Sequence, residues 1–182
     1  MDTELVVRAK RGDKEAYARL ATDLADRFLA VSRRIVRDVD LAEDATQQAL
    51  LSIWCDLPQL RDPARFEAWS YRLLLRACYA ECRKQRRWSP NLRILPADEP
   101  ATAAEFTSVV DRDLLEMAFR RLSFDHRAVV VLHHYLDLPL DRVADLLGVP
   151  VGTVNSRLHH AMRGMRAALD ADARPAVQEA IQ

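Results

Sequence analysis

The sequence predicts an all-α protein of two small helical domains joined by a flexible linker. Three observations lead to this prediction. Apolar residues recur at helical spacing through most of the 182 residues. Glycine, which weakens helices, occurs only 4 times. A stretch with several prolines and no periodicity, residues 89–112, divides the chain. We therefore predict a first domain over residues 1–88, a linker over 89–112, a second domain over 113–170 and a short tail over 171–182.

The composition limits the classes of protein that fit. No apolar run reaches the roughly 18 residues that cross a membrane, and the charged N-terminal segment lacks the apolar core of a signal peptide. We therefore expect a cytoplasmic protein with no membrane insertion. Three cysteines do not make a disulfide framework, and Cys78 with Cys82 supplies two ligands where structural zinc takes four. We expect no metal and no cofactor, and interpret both thiols as small buried apolar groups.

Four helices are predicted in the first domain. They run over Glu4–Arg11, Lys14–Arg37, Leu41–Leu57 and Ala64–Trp88. Gly12 ends the first helix, Asp40 is placed to cap the third, and residues 58–63 form a loop before the fourth. Apolar spacing predicts that the third helix buries Ala45, Ala49, Leu50, Ile53 and Trp54.

A polar cluster marks the N-terminal part of the third helix. Its members are Asp40, Glu43, Asp44, Gln47 and Gln48. Carboxylates near a helix N-terminus are stabilised by the helix dipole, so the cluster has a purely structural explanation. The same residues would also suit the docking of a protein partner, and the two interpretations are compatible.

The second half of the fourth helix is basic, and aromatic residues are interleaved with its cations. Residues 71–95 contain seven arginines and lysines against one acid, and residues 96–116 contain six acids against one arginine, although the net charge of the chain is zero. Cations follow phosphates and exposed rings stack on unpaired bases, so this helix suits melting or single-stranded DNA. The alternative is that Phe66 or Trp69 belongs to the core, the usual position of an aromatic residue at helical spacing.

The second domain is predicted to end in a helix-turn-helix over residues 140–166. Helices over 113–122 and 125–136 precede it; Leu114, Leu115, Ala118 and Leu122 are expected inside the first, and Ser123 is placed to cap the second. Gly148 suits the end of one short helix and Pro150 the start of the next. The apolar face of that next helix comprises Val151, Val154, Leu158, Ala161, Met162 and Met165. Its outer face contains no acid and carries Thr153, Asn155, Ser156, Arg157, His159, His160 and Arg163. Donors, acceptors and cations on one face are what a DNA-recognition helix needs, whereas the alternative is an ordinary helical hairpin.

With these residues identified, the chain resembles a bacterial sigma factor of the σ70 family, in the extracytoplasmic-function (ECF) group. Residues 40–54 resemble the region 2 helix that docks on the clamp of RNA polymerase. Residues 66–72, Arg76 and residues 83–87 resemble the helix that opens DNA strands and reads the minus-10 element. Residues 122–127 and 146–158 resemble region 4, which reads the minus-35 element.

The resemblance implies a specificity subunit rather than an enzyme, since polymerase core supplies catalysis. Its implied partners are polymerase core, promoter DNA and an anti-sigma factor. The implied polymerase-binding residues are the polar cluster on the third helix, and the minus-35 residues are those of the outer face above. The implied minus-10 residues are Arg61, Arg65, Trp69, Arg72, Arg76, Arg83, Lys84 and Arg87.

The chain departs from the family pattern at several positions. Ala45, Thr46 and Gln48 replace a usual aliphatic pair and glutamate, and we expect this to alter the polymerase contact. Ser70 replaces a leucine, Ala77 an asparagine and Asn155 a lysine, which bears on the promoter sequence that is read.

Two other functions compete with this interpretation. The first is a stand-alone helix-turn-helix regulator that binds a palindromic duplex as a dimer, without polymerase. The second is a helical interaction protein that does not need the DNA-facing arginines. Each leaves one half of the charge pattern without a role.

Overall fold

A computed structural model describes the backbone of residues 2–88 and 109–179, and the side chains of residues 2–85 and 115–169. These residues are helical throughout apart from turns and short connections, without a strand in the described ranges. They form two compact units. The structure therefore confirms the predicted all-α class with two helical domains. None of the described helices is both long and apolar enough to span a bilayer.

Within residues 2–88, the first unit contains four α-helices. They are α1 (Thr3–Lys10), α2 (Lys14–Val36), α3 (Val39–Asp56) and α4 (Phe66–Trp88), with 3-10 turns at Leu57–Gln59 and Pro63–Arg65 before α4. Left-handed backbone at Gly12 (φ +94°) and Arg37 (φ 66°) separates the first three helices. The four predicted helices are thus present, with ends shifted by a few residues.

The cap of α3 differs from the prediction. Asp38, rather than Asp40, accepts a hydrogen bond from the Leu41 amide at 3.0 Å. The backbone of Asp38 is extended (φ −138°, ψ 130°), as an N-cap residue requires, whereas Asp40 already lies within the first helical turn.

The core of the first unit lies between α2, α3 and α4. Phe28, Ile53, Phe66 and Leu74 are fully buried there, so the core alternative for Phe66 is confirmed. The prediction that Trp54 is buried is wrong, because its side chain remains 38% exposed and packs at the surface against Tyr17, with ring centroids 4.6 Å apart.

Three small polar side chains contact one another inside this core. The Thr46 hydroxyl lies 2.8 Å from the Ala42 carbonyl and 3.3 Å from Ser32 Oγ, which lies 3.4 Å from Cys78 Sγ. Burial raises the pKa of the Cys78 thiol to about 12, so it remains a neutral thiol, as its predicted buried position implies. Cys82 is only partly buried.

Four departures from the family pattern, at Ala45, Thr46, Ser70 and Ala77, are buried in this core rather than exposed on a surface. Ala45 and Thr46 are buried on α3, and Ser70 is buried on α4, where its hydroxyl donates to the Glu67 carbonyl at 2.9 Å. These side chains are therefore directed into the packing of the unit, and of the α3 departures only Gln48 is exposed.

The second unit contains α5 (Val109–Arg120), α6 (Phe124–Val130), most of α7 (Leu140–Leu147) and α8 (Val151–Glu179), with a π-helical turn at Val131–Tyr135. Ser123 caps α6 as predicted, by accepting from the His126 amide at 3.3 Å. A core cluster joins α5, α6 and α8 through Ala118, Leu122, Val130, Ala161, Met165 and Ala168.

Some boundaries and burial predictions differ in this unit. Residues 89–108 of the predicted linker lie outside the described residues, and α5 already begins within its last part. Helix α8 continues into the predicted tail and ends at Glu179. The predictions that Leu115, Val151 and Met162 lie inside are wrong, because the three side chains are exposed. The side chain of Leu114 lies outside the described residues.

Candidate functional site

The turn between α7 and α8 has the geometry that its sequence predicts. Gly148 adopts left-handed backbone (φ +67°), and the Val149 amide donates to the Ala144 carbonyl at 3.2 Å, which closes α7. The Pro150 carbonyl accepts from the Thr153 and Val154 amides at 2.9 and 3.2 Å, which begins α8. The predicted helix-turn-helix is therefore present.

The predicted DNA-facing residues occupy a broad outer face of α8. Asn155, Ser156, His159 and His160 are exposed, and Thr153 is partly exposed. Ser156 donates to the Thr153 carbonyl at 3.0 Å. The face is polar as predicted, but Asn155 and Arg157 are two positions apart and hence separated by about 200° around the helix axis. They lie at opposite borders of the face rather than side by side.

The cations of this face are less exposed than the sequence suggests. Arg157 Nη2 lies 2.9 Å from Asp125 Oδ2 near the N-terminus of α6, and only 24% of the Arg157 side chain is exposed. Arg163 is also partly buried. Sequence reasoning missed the tether to Asp125, because the two residues are 32 positions apart in the chain.

Histidines form a second contact between α6 and α8. The rings of His126 and His160 are stacked, with centroids 6.4 Å apart and planes inclined by 23°. His159 lies edge-on to His160 at 5.9 Å. Burial, followed by the nearby His160, lowers the pKa of His126. His126 was not among the predicted site residues.

On α4, three of the predicted cations share one exposed sector. Arg72, Arg76 and Arg83 lie within about 40° of one another around the axis, and all three are exposed. Exposed Lys84 lies outside this sector, about 80° further around the axis from Arg76, and 3.5 Å from Glu81. The side chain of Arg87 lies outside the described residues.

The aromatic and loop residues near this sector differ in exposure. Trp69 is partly buried, with its ring 6.0 Å from that of buried Phe66. Tyr79, by contrast, is 54% exposed. Arg61 and Arg65 are exposed in the turns before α4, where Arg65 lies 3.6 Å from Asp62. The structure thus brings a partly exposed ring and the predicted cations onto α4 and its preceding turns.

Every residue in the polar cluster of α3 is exposed. It comprises Asp40, Glu43, Asp44, Gln47 and Gln48. Glu43 is paired with Arg33 of α2 at 3.0 Å, and Gln48 Nε2 lies 3.4 Å from Ser52 Oγ.

A groove between α2 and α3 continues this surface, and sequence reasoning did not find it. It encloses about 550 Å³ and is lined by Lys14, Tyr17, Ala21, Gln47, Leu50, Leu51 and Trp54. Leu51 is 59% exposed beside it. One signal for the groove was present in the sequence, because Leu51 is an apolar residue on the polar side of the helix. Polar side chains beside an apolar groove are typical of a surface that binds protein.

Within the described ranges, no three histidine, cysteine, aspartate or glutamate side chains converge as metal ligands.

Comparison with known families assigns both units. The family model for Sigma-70 region 2 matches residues 20–87, and the model for Sigma-70 region 4 matches residues 112–165. The ECF RNA polymerase sigma factor SigL of Mycobacterium tuberculosis is 33% identical over 87% of this chain and 93% of its own length. The RNA polymerase sigma-H factor of Pseudomonas aeruginosa is 28% identical over 98% of this chain and 97% of its own.

Solved structures show the same fold. CnrH, in complex with the cytosolic domain of CnrY, superimposes with a TM-score of 0.68 at 22% identity, over 94% of this chain and 98% of its own. The sigma factor RpoE of Bartonella quintana, in complex with the anti-sigma factor NepR, superimposes with a TM-score of 0.65 at 20% identity, over 86% of this chain and 98% of its own. The chain belongs to the ECF group of σ70-family sigma factors, the subunits with which RNA polymerase initiates transcription at specific promoters.

Proposed function

We propose that this chain binds RNA polymerase core through α3, engages the minus-10 element through α4 and reads the minus-35 duplex through α8. The observation that carries the proposal is the presence of region 2 and region 4, in order, on two compact units, each with an exposed polar face of suitable chemistry. The boundaries that we propose for the two domains remain residues 1–88 and 113–170. The chain contributes specificity, and polymerase supplies the catalytic groups.

The polymerase contact is assigned to the polar cluster of α3 and the adjoining groove. Carboxylates and amides there offer hydrogen bonds to a partner, while Leu51 and Trp54 offer apolar area at the centre of the contact. Apolar and aromatic side chains surrounded by polar groups carry most of the affinity in protein interfaces.

The minus-10 contact is assigned to α4 and the turns before it. The proposed residues are Arg61, Arg65, Trp69, Arg72, Arg76, Arg83, Lys84 and Arg87. The shared sector of Arg72, Arg76 and Arg83 would follow one phosphate backbone. Unstacking a base costs a few kcal/mol, so binding of the displaced base and strand must help offset that cost.

The minus-35 contact is assigned to the outer face of α8. The proposed residues are Thr153, Asn155, Ser156, Arg157, His159, His160 and Arg163. An asparagine side chain is suited to adenine, whereas hydroxyls and imidazoles accept or donate to several bases and to phosphate.

We further propose that an anti-sigma factor binds this chain when it is not on polymerase. The structures of CnrH with CnrY and of RpoE with NepR support this, since each contains a similar fold bound to a second protein. Because its action depends on polymerase, we place it in the cytoplasm.

Binding to purified core polymerase tests the proposal. We expect the labelled chain to form a stoichiometric complex with core, and the complex to bind promoter DNA much more tightly than the free chain does. A chain that ignores core but binds a palindromic duplex tightly on its own would contradict the proposal and identify a stand-alone regulator.

A further inference from the structure

The strongest contact between the outer face of α8 and its supporting helix is a charged one. Arg157 and Asp125 are 2.9 Å apart, and three quarters of the Arg157 side chain is covered. A guanidinium in this position has already used one of its donors on a carboxylate, and its net charge toward DNA is largely cancelled. It is therefore poorly placed to act as an independent DNA contact.

The acid in this pair is itself held in place. Asp125 lies in the first turn of α6, where Ser123 caps the helix and accepts from the His126 amide at 3.3 Å and the Arg127 amide at 2.9 Å. The Arg127 guanidinium also donates to the Leu122 carbonyl at 2.7 Å. Because several hydrogen bonds fix this turn, the backbone that carries Asp125 is held in place beside α8.

The histidine stack makes a second point of attachment on the same two helices. His126 follows Asp125 on α6, and His160 lies one turn beyond Arg157 on α8. The buried apolar face of α8 sets its approximate orientation, and these two attachment points, which are separated along the helix, further restrict rotation about its axis. That rotation decides which side chains of the outer face point at the bases.

We propose that Arg157 and Asp125 are positioning residues that fix the rotation of α8, and that Arg157 itself makes no direct DNA contact. This inference rests on the proposed minus-35 role of α8 and refines it, since it removes Arg157 from the proposed DNA contacts and gives it a positioning role instead. The bases are contacted instead by exposed side chains of the face, such as Ser156 and His160. Base readout tolerates little displacement, so loss of either partner is expected to reduce sequence discrimination.

A double-mutant cycle in the holoenzyme separates positioning from contact. The variants are Asp125→Asn, Arg157→Gln and both together, assembled with core polymerase. Affinity is measured for a promoter duplex and for the same duplex with its minus-35 element replaced, over a range of salt concentrations. Glu116→Gln is the matched control, since it removes the acid of another ion pair, 4.0 Å from Arg120, on α5, which is not one of the two helices of the helix-turn-helix.

Positioning predicts three results together. Each single variant lowers discrimination between the two duplexes by at least about five-fold, the value of one base contact. The double variant discriminates between the duplexes as well as either single variant does, because each single substitution already removes the same ion pair. The slope of log affinity against log salt does not change, and Asp125→Glu restores discrimination.

Other results would overturn the inference. If Arg157 contacts a phosphate directly, Arg157→Gln alone reduces the salt slope by about 1 while Asp125→Asn does not lower discrimination. If the pair only supports folding, the variants lower the unfolding temperature and leave discrimination intact. Failure of the unmodified holoenzyme to select promoter DNA would instead contradict the proposed function, a result distinguishable from any difference among variants.

Discussion

Helices α3 and α8 both bury one face and expose a polar one, but they hold their exposed groups differently. On α3, Asp40, Asp44 and Gln47 extend from the surface beside an apolar groove. On α8, by contrast, Arg157 is tethered to Asp125 and His160 is stacked on His126. The first arrangement offers apolar area with polar surroundings to a protein, whereas the second moderates the positive charge of a DNA-facing helix. The comparison indicates that the charge of α8 cannot be estimated by counting its arginines.

The largest effect is expected from a charge placed in the groove of α3. Leu51→Asp should weaken binding to core polymerase by at least about 30-fold, since it puts a carboxylate at the apolar centre of the proposed interface. Leu51 is largely exposed, so the fold should be unchanged by far-UV circular dichroism. Val39→Asp is the control, because Val39 is similarly exposed (56%) on the same helix but about 120° away around the axis. Equal loss of binding in both variants would contradict a groove-centred contact.

A smaller effect is expected from the cation sector of α4. The double variant Arg72→Ala, Arg76→Ala should slow promoter opening by roughly ten-fold and reduce the salt slope by about 1 for each phosphate that the helix no longer binds. Opening is followed by permanganate reactivity of the melted strand, with Arg19→Ala, an exposed arginine on α2, as the control. An unchanged salt slope in the double variant would show that this sector does not contact the DNA backbone.

The cap of α3 predicts a moderate change in stability. Asp38→Ala should reduce the free energy of unfolding by about 1 kcal/mol, because the Leu41 amide loses its hydrogen-bond partner. Asp40→Ala should have a smaller effect, since Asp40 lies inside the first turn and stabilises it only through the helix dipole. Urea unfolding of both variants measures the difference, and a larger loss for Asp40→Ala would identify Asp40 as the capping residue instead.

The smallest effect concerns the pH dependence of the second unit. Burial lowers the pKa of His126 below its ordinary value, so the unfolded chain binds this proton more readily than the folded one. The groups facing it are His160, Asp125 and Arg157, of which His160 and Arg157 lower its pKa and Asp125 raises it. The stabilisation is therefore present above about pH 6.5 and is lost as the pH falls through the lowered pKa. His126→Asn should flatten the decline in unfolding temperature between about pH 7.5 and pH 5.5, and an unchanged decline would assign it to other groups.

The sequence was sufficient for features that depend on local spacing. Helical periodicity predicted every helix that forms the two units, and Gly148 with Pro150 predicted the turn between α7 and α8. Features that depend on distant partners were not accessible in this way. Trp54 packs at the surface against Tyr17 of another helix, and Arg157 is tethered to a carboxylate in α6. Asp38 rather than Asp40 caps α3 because its backbone is extended, and the sequence alone does not show which of two nearby aspartates has that backbone conformation.

The most direct test of the central claim is transcription of a genomic DNA library by core polymerase with and without this chain, with mapping of transcript 5′ ends. We expect start sites that depend on the chain and lie downstream of two shared elements, at the minus-35 and minus-10 positions, with a fixed spacing. The absence of start sites that depend on the chain, although it is folded and present in excess over core, would contradict its assignment as a promoter-specific initiation factor.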